Sequence, residues 1–393
     1  MSLALLCVAS PMIQSRVFEP QLPLALCDDP SISLISWTKP HKSNAIIRPV
    51  ATPKPSGVPV KLNPKRLLKK ALLRSSALRV TARFCPRAAV ILSYHSVVEE
   101  PQCTDHILGI SRARASFEDH MQTLARRFSP VTVRDVADFA SSGRKLPPRA
   151  VAVTFDDGFA DNCEVALPIL DRYGIPATFY IMVDGVANGR LPWYCRLRYA
   201  INTTKKREWV DSNANRAYGL ISPPERKAAL TAVWEIGARL TGNIQQQFIG
   251  AVEQSLEIEP VSAPHGFMMT WDQVRSLKKA GHTIGGHTVS HPNLAQVSER
   301  EAQLEITECK KKLEMEIGEP IEHFSYPHPA LNPQWSKRTL EITREAGFKS
   351  AALTTCGPVR AGDEPLALKR IYTPADLDQF TWNLEATFLG RSV

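Results

Sequence analysis

From residue 87 onward, short apolar runs alternate with segments whose apolar residues recur at helical spacing. A continuous apolar run of about four to eight residues predicts a buried strand, and a recurrence of about 3.6 residues predicts an amphipathic helix. The predicted strands cover 88–94, 150–153, 177–182, 282–285, 323–326, 350–354 and 368–372. The predicted helices cover 117–128, 166–170, 271–280, 299–317 and 334–346. Such alternation is typical of a parallel sheet, either open or closed into a barrel.

One segment interrupts the alternation. Residues 190–262 contain a polar helical stretch from Pro224 to Glu257, which is broken at Thr241-Gly242-Asn243. We interpret this segment as a helical insertion within one catalytic domain spanning 87–393, rather than as a separate enzyme.

The N-terminal segments differ from the rest of the chain. Residues 11–64 hold 10 of the 30 prolines, so residues 1–64 are predicted to form an extended or disordered arm. Residues 65–86 are predicted to form a basic amphipathic helix. Over 65–83, where lysine and arginine are interspersed with leucine and valine, it could contact an anionic membrane surface or dock on the domain.

The net charge of +9 belongs to this arm. Residues 1–90 carry 14 Lys and Arg against 3 Asp and Glu, a net of +11, and the remaining residues sum to −2. The domain therefore has no electrostatic basis for binding nucleic acid. The eight cysteines are scattered without a C-x-x-C pair, which predicts reduced thiols rather than a thiolate metal site.

Targeting signals are weak. No lysine or arginine precedes the apolar run at 3–9, as an export signal would require. No stretch reaches the roughly 20 apolar residues of a membrane span. These features favour a cytoplasmic or membrane-peripheral location over an extracellular one.

Two adjacent acids end a predicted strand. Asp156 and Asp157 follow the run Ala150-Val151-Ala152-Val153 and precede Gly158. Burying an unpartnered charge is costly, so paired acids at a strand end indicate a metal, a general base or both. A solvated Asp-Asp-Gly turn fits the same residues. In parallel barrels, catalytic groups collect at the C-terminal ends of strands.

His287 and His291 have the spacing of a metal-ligand pair. They follow a pair of glycines at i and i+4, and they can meet on one face if the glycines allow the backbone to turn helically. A carboxylate from Asp156 or Asp157 would complete a two-histidine, one-carboxylate set with positions open for water. A divalent metal there would lower the pKa of the water, and the other acid could take its proton.

These motifs resemble the signatures of NodB-homology polysaccharide deacetylases (carbohydrate esterase family four). The similar segments are Thr154–Gly158 with Tyr173–Phe179, His287–His291, and Phe324–Pro327, and the resemblance spans roughly 87–373. It implies a distorted (β/α) barrel with fewer strands than the usual eight. It also implies metal-dependent removal of N-acetyl groups from the amino sugars of a glycan.

The resemblance also assigns roles to individual residues. Asp156 would be the general base, and Asp157, His287 and His291 would bind the divalent metal, with zinc the first choice. Tyr326-Pro327-His328 would contact the substrate, and the backbone N–H of His328 would hold the oxyanion.

Two departures from the family pattern matter. The third signature often carries an arginine where this chain has Ser325, and Arg370 is our candidate for orienting Asp156 instead. No histidine follows His328 to serve as the usual catalytic acid. In the branch resembling poly-N-acetylglucosamine deacetylases the acid lies on an early strand. The segment Ser93–Val97 is similar to that pattern, so His95 is predicted to be the general acid.

Alternatives remain at this stage. The same residues would serve a hydrolase of another small amide, such as a formamido sugar, or persist in a non-catalytic glycan-binding protein. Trp193, Tyr194, Trp271 and Tyr326 could line a sugar cleft or pack in the core.

Overall fold

Seven parallel strands form a closed barrel at the centre of the fold. The computed structural model describes residues 88–101, 107, 109–259, 266–328 and 330–390. The predicted arm at 1–64 and the predicted basic helix at 65–86, with its proposed membrane contact, lie outside the described residues. Within the described ranges, no helix is both long and apolar enough to cross a membrane.

The barrel strands are rich in buried apolar residues, as parallel strands covered on both faces require. They are β1 (Ala89–Tyr94), β5 (Ala150–Phe155), β6 (Ala177–Ile181), β9 (Thr283–Gly286), β10 (His323–Ser325), β11 (Ser350–Cys356) and β12 (Leu368–Tyr372). The shorter strands are β2 (Ser96–Val98), β3 (Ser111–Ala113), β4 (Ser129–Pro130), β7 (Glu208–Asp211) and β8 (Arg216–Gly219).

Strand pairing closes the barrel in the order β1-β12-β11-β10-β9-β6-β5, and β5 returns to β1. The closing pair runs in register from Ala89 against Ala150 to Tyr94 against Phe155. The short strand β4 adds to β5 at its start. The expectation of a (β/α) barrel with fewer than eight strands is therefore confirmed.

Helices surround the barrel and connect its strands. They are α1 (Arg114–Arg127), α2 (Val133–Ser142), α3 (Leu167–Tyr173), α4 (Val183–Asn188), α5 (Trp193–Thr203), α6 (Pro223–Gly237), α7 (Gly242–Ser255), α8 (Trp271–Lys279), α9 (Glu299–Ile317), α10 (Lys337–Glu345) and α11 (Leu377–Phe388). A π-helical turn, Asn162–Ala166, precedes α3. Five of the helices begin at a reciprocal capping box, which satisfies the first free N–H groups; the capping residues are Thr132, Ser222, Thr270, Ser298 and Ser336.

The segment that interrupts the alternation forms α5, the antiparallel hairpin β7–β8, α6 and α7. These elements share a hydrophobic cluster of their own, which includes Trp193, Leu197, Val233 and Ile249. The segment is also bonded to the barrel loops, because the N–H of Asn293 donates to the carbonyl of Ala238 at 3.0 Å. It therefore supports the loop that follows β9.

The glycine pair before His287 has a role other than the predicted turn. Gly285 and Gly286 lie within β9. A Cβ atom on Gly285 would lie 2.5 Å from the Tyr180 ring and 2.8 Å from the carbonyl oxygen of His323. Glycine is required there by close packing between neighbouring strands.

Candidate active site

Chemically reactive side chains meet at the C-terminal ends of the barrel strands. Asp156 and Asp157 follow β5, His287 follows β9, and His95 follows β1. Arg370 lies within β12. The closed strand order places these ends around one opening, as the sequence predicted for a parallel barrel.

Asp157, His287 and His291 form a compact set of three potential metal ligands. The Nε2 atoms of both histidines lie 3.4 Å from Oδ1 of Asp157. Metal–ligand distances of about 2.0–2.2 Å at a tetrahedral angle separate two ligand atoms by roughly 3.3–3.6 Å. The spacing therefore fits a small divalent cation held by nitrogen and oxygen.

The carboxylate of Asp157 gives an independent indication of a cation. Asp157 is 1% exposed, yet neither of its oxygens has a hydrogen-bond partner among the described residues. A buried carboxylate without hydrogen bonds is costly unless it is paired or coordinates a metal. The residues present therefore fit the metal that the sequence predicted.

The backbone around the three ligands is unusual. Asp157, Thr288 and His291 have φ angles of 76°, 63° and 61°. Residues other than glycine rarely adopt this left-handed region, and such strain concentrates at functional sites. The expectation of a helical turn from His287 to His291 is wrong: this segment is an irregular loop, and its positive φ angles bring the two imidazoles together.

Hydrogen bonds fix the orientation of the metal loop. His287 Nδ1 lies 2.8 Å from the carbonyl oxygen of Ser325, so an Nδ1–H tautomer leaves Nε2 free to ligate. The indole N–H of Trp193 donates to the carbonyl oxygen of His291 at 3.0 Å. Trp193 is 3% exposed, so it supports the loop rather than lining a sugar cleft.

Glu305 of α9 holds the middle of the same loop. Its Oε2 accepts the backbone N–H groups of Val289 and Ser290, each at 2.8 Å. Its Oε1 accepts the hydroxyl of Ser290 at 2.5 Å. These bonds restrain the chain between the two histidines, as partners behind metal ligands commonly do.

Asp156 is paired with Arg370. Arg370 Nη1 lies 2.8 Å from Oδ1 and Nη2 lies 2.7 Å from Oδ2. The guanidinium also donates to Ser325 Oγ at 3.1 Å and Thr154 Oγ1 at 3.2 Å. Arg370 therefore occupies the place beside Asp156 that the serine at 325 leaves open, where the sequence suggested it.

His95 stands on the other side of Asp156. Its Nε2 lies 4.0 Å from Asp156 Oδ2, and its side chain is 26% exposed. The carboxylate of Asp156 and the imidazole of His95 thus face the same opening. The imidazole is accessible to a ligand, whereas the carboxylate is almost fully buried.

Electrostatics set the charge states of the carboxylates and imidazoles. Burial alone would raise the pKa of Asp156, but Arg370 and His287 hold it below its ordinary value. Burial likewise opposes ionisation of Asp157, while the adjacent imidazole of His287 and the charges of His95 and His291 lower its pKa. Burial lowers the pKa of His291 to about 3, which keeps its imidazole in the neutral, ligating form. Burial also disfavours charge on His287, but Asp156 and Asp157 raise its pKa.

The stretch Tyr326-Pro327-His328 borders the opening in part. The Tyr326 ring is fully buried, and its hydroxyl donates to Thr343 Oγ1 at 3.2 Å. Tyr326 nevertheless lines the cleft, and its contact with substrate stays a prediction. The N–H of Tyr326 is bonded to the carbonyl of Ala352 and proline has none, so only His328 can offer a backbone donor from this stretch.

A cleft of about 190 Å³ opens over these groups. Besides the residues already described, its lining includes Ile110, Tyr194, Arg198, Trp234, Thr354 and Tyr372. Tyr194 and Arg198 come from α5 and Trp234 from α6, so the helical insertion supplies one wall. Trp271, by contrast, lies partly buried against the barrel core.

Comparison with known proteins identifies the family. The sequence model described as polysaccharide deacetylase matches residues 143–351, just over half of the chain. This chain belongs to the polysaccharide deacetylase family. Membership confirms the resemblance seen in the motifs and the expected enzyme class, a hydrolase of carbon–nitrogen bonds other than peptide bonds. Family members depend on a metal, and Asp157, His287 and His291 provide a site of that kind.

Individual relatives agree with this assignment. YxkH of Bacillus subtilis (strain 168), which carries the name of a polysaccharide deacetylase, is 19% identical over 73% of this chain and 71% of its own length. The chitooligosaccharide deacetylase of Azorhizobium caulinodans is 33% identical over 19% of this chain and 34% of its own. Among solved structures, the Streptococcus pyogenes deacetylase PplD shares the fold, with a TM-score of 0.52 and 20% identity over 77% of this chain and 99% of that chain.

Two groups near the site were not predicted from the sequence. Glu305 lies on α9, and Asp161, which accepts hydrogen bonds from Ser96 and Val97, carried no motif that singled it out. The roles of Glu305 and Asp161 depend on contacts between elements distant in sequence, and a buried position for such residues cannot be inferred from local periodicity. Tyr194 was named from the sequence as a possible cleft residue, and it does line the cleft.

Proposed function

We propose that this protein removes N-acetyl groups from amino sugars of a glycan, releasing acetate and a free amine. The observation that carries the proposal is the meeting of Asp156, His95 and the Asp157–His287–His291 set around one cleft. The family supports the reaction type, and the name of the Azorhizobium relative supports an amino-sugar substrate.

We further propose that the metal is zinc. One carboxylate and two imidazoles are a ligand set that zinc accepts with a position left open. When bound, such a cation supplies a Lewis acid that activates water and stabilises negative charge on the amide oxygen.

The protein's own groups carry the proton transfers. Asp156 accepts a proton from the attacking water, because each of its oxygens keeps a lone pair beyond the one that Arg370 occupies. The backbone N–H of His328 donates to the carbonyl oxygen as its charge develops. Protonated His95 then donates its Nε2 proton to the amine nitrogen as the carbon–nitrogen bond breaks. The carbon–oxygen bond formed with the water is retained in the released acetate.

The volume of the cleft limits how much of the substrate can enter it. Pockets that enclose a drug-sized ligand have volumes of about 300–1,000 Å³, whereas this cleft measures about 190 Å³. One acetamido-bearing sugar is therefore expected to enter, with the remainder of the glycan outside.

An acetate-release assay on the zinc-reconstituted protein tests the proposal. The substrates are a panel of N-acetylated glycans together with a formamido sugar. We expect acetate from wild type, about 10²-fold or more loss in Asp156→Asn, and full activity in Asp138→Asn, which alters an exposed acid paired with Arg144.

Other outcomes favour the alternatives. Formate release without acetate release would favour the small-amide hydrolase. A protein that binds glycan but neither binds a divalent metal nor releases acetate would favour the non-catalytic alternative.

A further inference from the structure

The backbone of His95 and of the two residues after it is tied to the segment that follows the two acids. The hydroxyl of Ser96 donates to Asp161 Oδ2 at 2.5 Å, and the N–H of Val97 donates to Asp161 Oδ1 at 3.1 Å. The amide of Asn162 donates to the carbonyl oxygen of His95 at 2.7 Å. Three consecutive residues, His95 to Val97, are thus bonded to the side chains of two consecutive residues, Asp161 and Asn162.

The two side chains also restrain each other. Asn162 Nδ2 lies 2.8 Å from Asp161 Oδ1, so the carboxylate and the amide form one connected network. Asn162 is fully buried, and it begins the π-helical turn before α3. Such turns are rare and occur frequently at functional sites.

Among the residues that the structure describes, no hydrogen bond fixes the imidazole of His95. Its distance of 4.0 Å from Asp156 Oδ2 is too long for a hydrogen bond. Its position therefore depends on its own backbone. A displacement of about 1 Å in a catalytic group can cost about 10²-fold in rate, so the bonds that fix this backbone have a measurable consequence.

We propose that Asp161 and Asn162 are positioning residues for His95. The segment that carries the base Asp156 thereby also sets the location of the acid, and the two groups stay at a fixed separation. This inference rests on the proposed function, because His95 acts on an amine leaving group.

The test uses the dependence of the reaction on its leaving group. Departure of an amine requires a proton donor, whereas departure of p-nitrophenolate from p-nitrophenyl acetate does not. We expect Asp161→Ala and Asn162→Leu to lower kcat for the N-acetylated sugar by about 10²-fold, with KM little changed. Cleavage of the ester should be nearly unaffected.

Two further variants separate positioning from general stability. Asp161→Asn keeps groups that can bond Ser96 and Val97, so it should restore most of the amide activity. Glu385→Gln changes a buried carboxylate that pairs with Arg127 and Arg149. It should lower Tm without altering the ratio of amide to ester activity.

A double-mutant comparison completes the test. In a His95→Ala background, Asp161→Ala should cause no further loss of amide activity, because both changes remove the same function. An unchanged amide-to-ester ratio in the single variants, or additive losses in the double variant, would overturn the proposal. If Asp161→Ala does not fold, Asn162→Leu decides the question by the same ratio. Wild type that cleaves the ester but no N-acetylated sugar would instead refute the proposed function.

Discussion

Arg370 contacts both carboxylate oxygens of Asp156, at 2.8 and 2.7 Å, and is itself only 1% exposed. Its Nε donates to the carbonyl oxygen of Leu353 at 2.8 Å, so all three guanidinium nitrogens donate hydrogen bonds. A planar, two-pronged pair of this kind fixes the plane of the carboxylate as well as its charge. The orientation of Asp156 is thus set by a strand that the chain forms about 200 residues later.

Arg370→Leu should therefore damage both stability and catalysis. It leaves Asp156 buried without its partner, a change that costs about 3–5 kcal/mol. We expect a lower free energy of unfolding in urea and a kcat reduced by about 10²-fold or more. Unchanged kcat in a folded variant would contradict the orienting role.

A second-site change provides the matched control. Ser325 Oγ lies 3.1 Å from Arg370 Nη2, so an arginine at 325 can reach the same carboxylate from β10. Ser325→Arg combined with Arg370→Leu should recover part of the lost kcat. Recovery of the free energy of unfolding without recovery of kcat would show that pairing the charge of Asp156 is not sufficient for catalysis.

Tyr194 presents a buried hydroxyl to the cleft. Burial raises the pKa of Tyr194, and its hydroxyl has no hydrogen-bond partner among the described residues. Since leaving such a donor unpaired is costly, Tyr194→Phe should keep or raise Tm while lowering kcat about 10-fold or more. Tyr218→Phe, in the hairpin, should alter neither quantity. A Tyr194→Phe variant with full activity would contradict a contact with the reacting substrate.

Glu305 should control metal affinity through the loop between His287 and His291. Glu305→Ala removes the acceptor of two backbone N–H groups, and loss of such support typically weakens binding about 10–100-fold. Titration of the metal-free protein with zinc measures this. Glu301→Gln, on the same helix, weakens the capping box instead and should leave zinc affinity unchanged. Equal affinities in the Glu305 variant and wild type would exclude a role for this support.

Asp161 should make stability depend on pH. Burial raises its pKa to about 7 in the folded protein, against an ordinary value of 3.8. The folded state therefore binds this proton more tightly, and the resulting stabilisation is complete below pH 3.8 and lost as the pH rises towards 7. The free energy of unfolding of wild type relative to Asp161→Asn should fall across that range and level off above it. Urea denaturation at successive pH values checks this, and a constant difference would contradict it.

The barrel strands β1, β5 and β6 were predictable because each is largely an apolar run. The helix at 299–317 and the strand at 368–372 coincide with the observed α9 and β12. The strand pairing was not predictable, because the pattern is equally compatible with an open sheet. Closure of the barrel depends on the pairing of β1 with β5, and the sequence pattern within a single strand does not indicate which strands pair.

The candidate site was predictable where its residues lie in one motif. The members of each pair lie within a few residues of one another in the sequence, as Asp156 does to Asp157 and His287 to His291. The predicted helical turn between the histidines failed because positive φ angles at Thr288 and His291 depend on tertiary support. Elements without strong apolar periodicity, such as the hairpin at 208–219, were also missed.

Closure of the barrel has a consequence for chain order. Since β1 pairs with both β12 and β5, the strand that leads into His95 occupies a position that either end of the polypeptide can reach. A histidine carried by a strand after β12 could fill the same place as one carried by the first strand. The geometry of the cleft therefore constrains which strands are neighbours, while leaving the point at which the chain enters the ring free to differ between related proteins.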